Sequence, residues 1–595
     1  HVEKYENGQT HYLKKGHYVI MGYDDIVPSI ITYILNDKYE PDADILLLTS
    51  TPASFVHEKL QESVARKYHK NIIINYGHRT SADYYKDLHL EAAKQIFIAG
   101  DRSEPQHDAL NVECIESICK FLKEQPTHSV KQITCVFEDL DTYTAFRTTD
   151  IFKDYIDELN IDFIPYNFYV NWARRIFVER TYLGSTNQKV LTYPHLCKQG
   201  MAANDEHYVH LVFVGMSGFA VTFANEAAHL LHFPNFAKAH TKITFIDLRA
   251  DKEMPIFITR NHNFFDIQSY AYQDLTTYGE SQQTSYERRF EGKDADFLDI
   301  DFEFIKGDIF SQRVQKLLYT WAKDENQYLS IFLAMANQRE NFALAMNMPD
   351  AIYNKEIPLF VRQDSSDNFI TLLRQTDERA PRRGDPEYRT YENGQMKTKE
   401  AHGRYAHIYP FGMNNTSFFA EEASLRRAKL INYLYATADY NSNTFQSTEQ
   451  LATKSLAEVE QHANDEWKKL TVAEQWSNLY FAYNLEYKLI VLRSMRGIDI
   501  ADVSHDLNDL NEQEIKTIGE VEHNRWNIEK LLMGYRKPLE REDSYNKPKE
   551  IAKKLENNKR LFIHTQIRPY DELTPEMKKL DLELVKYIPW IIKNS

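Results

Sequence analysis

Residues 208–220 read Tyr-Val-His-Leu-Val-Phe-Val-Gly-Met-Ser-Gly-Phe-Ala. A strand-like run stops at Gly215, and a helix-length stretch continues to about Leu231. Strand, glycine turn and helix in this order is where the fingerprint G-x-G-x-x-G/A belongs. In that frame the three positions are Gly215, Ser217 and Ala220. The first makes the tight turn. The third needs only to be small, for close helix packing. The second normally lets the backbone approach a pyrophosphate. Ser217 adds a side chain there, and Gly218 next to it relieves crowding. Asp247 ends the next strand, 242–247, where a carboxylate holds a ribose hydroxyl pair; Asp308, after Gly307, ends the one after that. Gly215, Ser217, Gly218, Ala220, Asp247 and Asp308 are therefore the candidate cofactor-binding residues. The competing reading is a domain that keeps this shape and binds nothing.

Working outward, strands are expected at 302–305, 328–333 and 357–362 on one side. On the other they are expected at 17–21, 43–48, 72–74, 95–99, 132–137 and 161–164, with helix-length segments between most of them. Such alternation argues for parallel sheets covered by helices. The fold class is α/β: two tandem Rossmann-like, doubly wound domains followed by a mostly helical region. The first frame reads Gly22, Asp24, Val27. Asp24 and Asp25 sit at the positive helix end and repel a pyrophosphate, so helix capping is the favoured role and a divalent cation the alternative. The next strand ends in Thr49-Ser50, without a carboxylate.

The segment 165–185, with Trp172, Arg174 and Arg175, reads as a joining helix, and 376–404 as a linker or exposed hairpin. Tyr-Glu-Asn-Gly-Gln occurs at 5–9 and 391–395, read as two similar tight turns. Helices are expected at 420–437, 448–462, 471–494, 511–533 and 575–592; Thr574-Pro575-Glu576 opens the last. The expected divisions are 1–175, 176–375, a linker 376–414, a helical region 415–508 and a terminal domain 509–595.

The chain has 595 residues, 27% charged and 43% apolar, a globular composition. Its net charge of −16 disfavours binding to a nucleic-acid duplex. The four cysteines form no Cys-x-x-Cys pair, which fits a reducing compartment. No apolar run approaches membrane-spanning length. The polar start at His1 without an initiator Met leads to the expectation of a fragment preceded by a membrane segment.

No nucleophile elbow, His-Glu-x-x-His or P-loop pattern is present, and no catalytic constellation emerges; the expectation is a non-enzyme. Glu226, His229 and His232 share one helix, but lack partners at ligand spacing, so no metal is expected. In the last 85 residues, Glu520-Val521-Glu522-His523-Asn524-Arg525-Trp526 opens an amphipathic helix that stops at Gly534, and Pro569-Tyr570-Asp571-Glu572-Leu573 follows. One reading makes these aromatics the core of a small helical domain. The other makes Glu522, Arg525, Trp526 and Tyr570 a groove in which an aromatic and an arginine hold a planar or anionic ligand.

These C-terminal motifs resemble the repeat domain named after ryanodine receptors, found also in bacterial proteins. A poorer copy, Glu466-Trp467-Lys468-Lys469-Leu470 with Ser477-Asn478, Ala482 and Lys488-Leu489, resembles its second half. The tandem α/β part is similar to TrkA-N or RCK domains, on the Gly215 turn, Asp247, Gly307-Asp308 and Gly22. Pro165-Tyr166-Asn167 through Arg175 and His232-Phe233-Pro234-Asn235 resemble features of the channel-linked versions. The resemblance implies a cytoplasmic, membrane-associated ligand sensor, a homo-oligomer (dimer or tetramer) attached to a transmembrane channel segment. It implies a potassium-channel regulator whose nucleotide-like ligand is NAD(H) or another adenine nucleotide. The alternatives are a soluble sensor of a signalling nucleotide, as in antiviral defence, and an NAD-dependent oxidoreductase.

Overall fold

The computed structural model describes the chain except residues 1–10, 37–39, 103, 183–188, 198–199, 277–287, 365–367, 378–387, 393–394, 400–402, 415–417, 419–421, 440–443, 501–506, 544–546, 549 and 552–560. Two compact units emerge. Unit 1 comprises residues 1–172, 413–421 and 465–476, and unit 2 the remainder.

Unit 1 is built on β1 (Tyr18–Met21), β2 (Ile45–Thr49), β3 (Ile72–Tyr76), β4 (Gln95–Ile98), β5 (Gln132–Val136) and β6 (Asp162–Tyr166). The interleaved helices are α1 (Val27–Ile34), α2 (Ala53–Ser63), α3 (His107–Glu124), α4 (Leu140–Thr148) and α5 (Lys153–Leu159). The sheet is parallel in the order β3-β2-β1-β4-β5-β6. Strand order reverses between β1 and β4, so the crevice at their carboxyl ends is the switch point of the fold. Strands β1 and β2 are buried along their whole length, which is why they read as unbroken apolar runs.

The helix α6 (Phe168–Val178) follows, then an antiparallel pair β7 (Arg180–Tyr182) and β8 (Lys189–Leu191). The joining helix expected over 165–185 thus ends early, and its tail pairs as strand. Unit 2 continues with β9 (Tyr208–Val214), α7 (Gly218–Leu230), β10 (Thr241–Asp247), α8 (Ala250–Arg260), α9 (His262–Phe265), β11 (Tyr270–Asp274) and β12 (Ile300–Lys306). Next come α10 (Gln312–Lys323), β13 (Gln327–Leu333), α11 (Gln338–Met346), α12 (Asp350–Asn354), β14 (Leu359–Arg362) and α13 (Asn368–Asp377). The hairpin β15 (Tyr388–Glu392) and β16 (Gln395–Lys399) then leads to β17 (Ile408–Phe411). Its Asn-Gly turn and the earlier Tyr-Glu-Asn-Gly-Gln copy lie outside the described residues.

The second sheet is also wholly parallel, ordered β11-β12-β10-β9-β13-β14-β17. It repeats the first order with β11 added at one edge. Neither β11 nor β17 was expected from the sequence, and β17 lies inside the stretch read as linker. A row of rings crosses this sheet in register. Phe304, Phe245, Phe213, Phe332, Phe360 and Tyr409 sit on β12, β10, β9, β13, β14 and β17, with neighbouring centroids 4.4–5.7 Å apart. Because side chains alternate faces, a one-residue slip of any strand would remove its ring from this row.

The C-terminal helices are α14 (Glu422–Ala436), α15 (Thr448–Ala452), α16 (Leu456–Trp467), α17 (Val472–Met495), α18 (Glu512–Leu532), α19 (Pro575–Lys586) and α20 (Ile588–Asn594). Asn511 and Glu514 form a capping box on α18, and Thr574 caps α19 through the Met577 amide. Most of this part, residues 422–464 and 477–595, falls in unit 2. Helix α18 packs on α7 and α9, Asn484 donates to the Leu230 carbonyl at 2.6 Å, and Asn263 donates to the Gly534 carbonyl at 2.9 Å. Among the described residues, no helix is long and apolar enough to cross a membrane.

His210, inside β9, tests this core. Burial pushes its pKa down to about 3, against the raising effect of its hydrogen bond to Gln327. The unfolded histidine keeps its ordinary value of 6.5 and takes up a proton first. Stability is therefore full above that value and declines as pH falls towards 3, by up to about 1.4 kcal/mol per pH unit. Urea titrations at several pH values should show this slope in the native chain and a flatter one in His210→Gln.

Candidate functional site

Both units place a glycine of positive φ after the first strand, Gly22 (+91°) and Gly215 (+89°). In unit 2 the turn leads into α7, whose N-cap is Ser217. The Ser217 hydroxyl donates to the Ala334 carbonyl at 2.5 Å and accepts from the Ala220 amide at 3.4 Å. Its side chain is thus drawn onto the end of β13, and Gly218 is the exposed residue of the turn. Ala220 is buried against the sheet, as the third fingerprint position requires. The Met216 amide donates to Asp247 Oδ2 at 2.8 Å, and the Arg249 amide to Oδ1 at 2.7 Å. Each oxygen retains a lone pair for a further donor. Asp308 is exposed beyond β12, where it accepts from the Phe310 amide at 2.9 Å.

Sequence reading missed three further residues at this crevice. Leu248 and Phe310, directly after and near the two aspartates, are 57% and 52% exposed. Arg362, at the end of β14, lies 5.0 Å from the Phe219 ring in the first turn of α7 and pairs with Asp364 at 2.9 Å. Only the strand order brings Arg362 to this helix end, so no local motif announces it.

Unit 1 is arranged differently. A Cβ on Gly22 would lie 2.3 Å from the Gly100 carbonyl, so β1 and β4 are in backbone contact. On Gly215 it would lie 3.1 Å from Met335 Cα, a looser approach. By strand register, Met21 faces Ile98 and Val214 faces Leu333, so Asp101 corresponds to Ala336. Asp101 is 3% exposed and its Oδ1 accepts the Tyr23 amide at 3.0 Å; Ala336 is exposed. The amide after the turn glycine meets a carboxylate in both units. Unit 2 supplies it from β10, and unit 1 from beyond β4. Asp24 and Asp25, expected to cap α1, do not do so. The N-cap position is Ile26, without a side-chain bond; Asp24 takes only a 3.4 Å bond from the Ile26 amide, and Asp25 pairs with Arg102 at 3.0 Å. Helix α1 begins one residue too late for Asp25 to cap it and two too late for Asp24.

Arg525 is 1% exposed and binds Glu522 with two nitrogens, at 2.9 and 2.8 Å, and Glu529 at 2.6 Å. Lys488 of α17 adds an ion pair to Glu522 at 2.7 Å. Two flanking cations hold the Glu522 carboxyl down to about 2, against the opposing effect of its burial. Glu522 and Arg525 therefore satisfy each other inside the helix packing instead of facing an anion. Tyr570 is buried beside His523, at 5.9 Å between rings. Trp526 is half-buried, between His523 and His564, with Lys530 Nζ 5.7 Å from its ring. His232, read as a distant candidate ligand, donates from Nε2 to the Ala228 carbonyl at 2.8 Å and pairs through Nδ1 with the Asp299 carboxylate at 2.9 Å, and Glu226 pairs with Arg174 at 3.2 Å.

No protein-family model and no curated protein matches the chain. Among solved structures it is similar to GsuK bound to ADP, at 12% identity over 61% of this chain and 65% of that one, TM-score 0.29. It is similar to the GsuK channel bound to NAD, at 11% identity over 61% of each chain, TM-score 0.30. The human SLO3 gating ring follows at 8% identity over 67% of this chain and 80% of that one, TM-score 0.33. The chain spans less than two thirds of the length of the ADP-bound and NAD-bound GsuK chains.

Two stability predictions follow from these sites. Gly22→Ala is expected to cost about 2–5 kcal/mol, from positive φ plus the clash with Gly100. Gly16→Ala, also at positive φ (+75°) but with open space around it, should cost only about 1–2 kcal/mol; denaturant unfolding separates them. Arg525→Met leaves two buried carboxylates with only Lys488 on Glu522 and Lys530 on Glu529, and should cost about 3–5 kcal/mol by the same measurement.

Proposed function

We propose that this chain is a non-catalytic, ligand-sensing regulatory module that takes NAD(H) or another adenine nucleotide in the crevice of unit 2. The observation that carries this reading is the open switch point there. It combines the Gly215 turn, exposed Gly218, an accepting Asp247 and the small, exposed Ala336 in place of a carboxylate. Ligands of open α/β sheets bind at such a crevice. The α7 N-terminus suits a pyrophosphate, with Gly218 permitting close approach and Arg362 supplying positive charge. Asp247, and Asp308 beyond it, accept from ribose hydroxyls. The exposed Leu248 and Phe310 offer apolar area to a base.

The module acts, on this reading, within a homo-oligomer that controls conduction by a potassium-channel-like membrane protein. That part rests on the sequence resemblance to RCK domains. The C-terminal region, with its ryanodine-receptor-type motif, takes a second ligand or partner. Half-buried Trp526 is the ligand-facing residue there, and Tyr570, Glu522 and Arg525 the buried support that positions it. Signal transmission needs a ligand that binds one conformational state more tightly than another.

Thermal unfolding with NAD, NADH, NADP, ATP, ADP, AMP and cyclic nucleotides tests the ligand. At ~100 times its dissociation constant, the true one should add about 2.7 kcal/mol to native stability. Ala336→Asp, which puts a carboxylate where unit 1 carries one, is expected to abolish that gain. A flat response across the whole panel would contradict the assignment.

A further inference from the structure

The crevice of unit 1 contains a set of hydrogen-bond donors that converge on one point. The Tyr23 amide donates to Asp101 Oδ1 at 3.0 Å, and the Thr49 hydroxyl donates to the same oxygen. The Ser50 hydroxyl and amide donate to Oδ2 at 2.9 and 3.3 Å. Arg79 Nη1 approaches Oδ2 at 3.5 Å. Thr51 Oγ1 stands 3.5 Å from Oδ1. The donors come from the β1–α1 turn, the end of β2 and the loop after β3. None of them is adjacent to Asp101 in sequence. Arg79 is itself 3% exposed and is held in place by Glu104, at 3.0 and 2.6 Å, and by Asn111 at 2.9 Å.

Amides, hydroxyls and a guanidinium aimed at one point, at the switch point of a parallel sheet, make a receptor for an oxyanion. Here the oxyanion belongs to the chain. We infer that the unit 1 crevice is an oxyanion-binding cradle carrying its own occupant, the Asp101 carboxylate, and that removing this carboxylate lets a free small oxyanion such as formate bind in its place. Both oxygens of Asp101 accept hydrogen bonds, so the cradle offers donors to each oxygen of an oxyanion. The Asp101 carboxylate takes the donors that would otherwise face a phosphate at this switch point. This inference stands on unit 1 alone and is independent of what unit 2 binds.

Asp101→Ala with added formate tests it, since alanine plus formate restores the atoms of the aspartate side chain. The variant is expected to melt about 5 °C or more below the native chain. Sodium formate should restore part of that loss in a saturable manner, while sodium chloride at equal ionic strength should not, and the native chain should respond to neither. Equal responses to formate and chloride, or an Asp101→Ala chain as stable as the native one, would overturn the inference. Asp101→Asn keeps the decision open if the alanine variant does not fold. Its amide nitrogen faces donors on one side, so it should melt lower than the native chain and gain nothing from formate, because the space stays filled. An Asp101→Asn chain of native stability would overturn the inference equally.

Discussion

The amide that follows the first-strand glycine must find an acceptor, because the turn directs it into the crevice between the central strands. A carboxylate meets that need in both units, and the position of the carboxylate decides the character of each. Supplied by Asp247 at the end of β10, it binds the turn from one side and leaves the space over β13 to Ala336. Supplied by Asp101 beyond β4, it stands in the middle of the crevice and gathers Tyr23, Thr49, Ser50 and Arg79 around itself. The same strand order thus carries the acceptor at the end of β10 in one unit and beyond β4 in the other.

Around the unit 2 crevice the packing is strongly aromatic. The ring row on unit 2 ties six strands into a fixed register, which in turn fixes the heights at which Gly215, Asp247 and Arg362 leave the sheet. The C-terminal helices add rigidity by a different means. Their charges are buried in pairs, with Arg525 between Glu522 and Glu529 and Lys488 reaching across from α17. Burial of such a network is tolerable only because each charge has its partner, so removing one member costs far more than the pair contributes.

The two sheets were legible because their central strands are buried on both faces and so leave continuous apolar runs. The Gly215–Ala220 turn was legible because its spacing is local. The missed elements have physical reasons. Strand β11 is an edge, Tyr-Ala-Tyr-Gln-Asp, with half-exposed side chains and no apolar run. Strand β17 joins its sheet only after a long polar excursion that reads as linker. Asp101 looks like an ordinary loop aspartate, because its partners Tyr23 and Thr49 lie 78 and 52 positions away. Arg525 looked free in sequence for the converse reason: its partners are on its own helix, and only burial shows that they exhaust it.

The late arrival of β17 has a consequence for synthesis. Residues up to 362 complete six of the seven strands of the second sheet, yet β14 then presents a bare, hydrogen-bonding edge until Ile408–Phe411 has left the ribosome. An uncovered apolar edge of this kind recruits other chains. The nascent protein therefore passes through an interval in which its largest sheet is nearly built and still adhesive, and the 45 residues between Arg362 and Ile408, the hairpin at 388–399 among them, set the length of that interval. A polypeptide cut near 375, where composition alone marks a boundary, would remain in that state permanently.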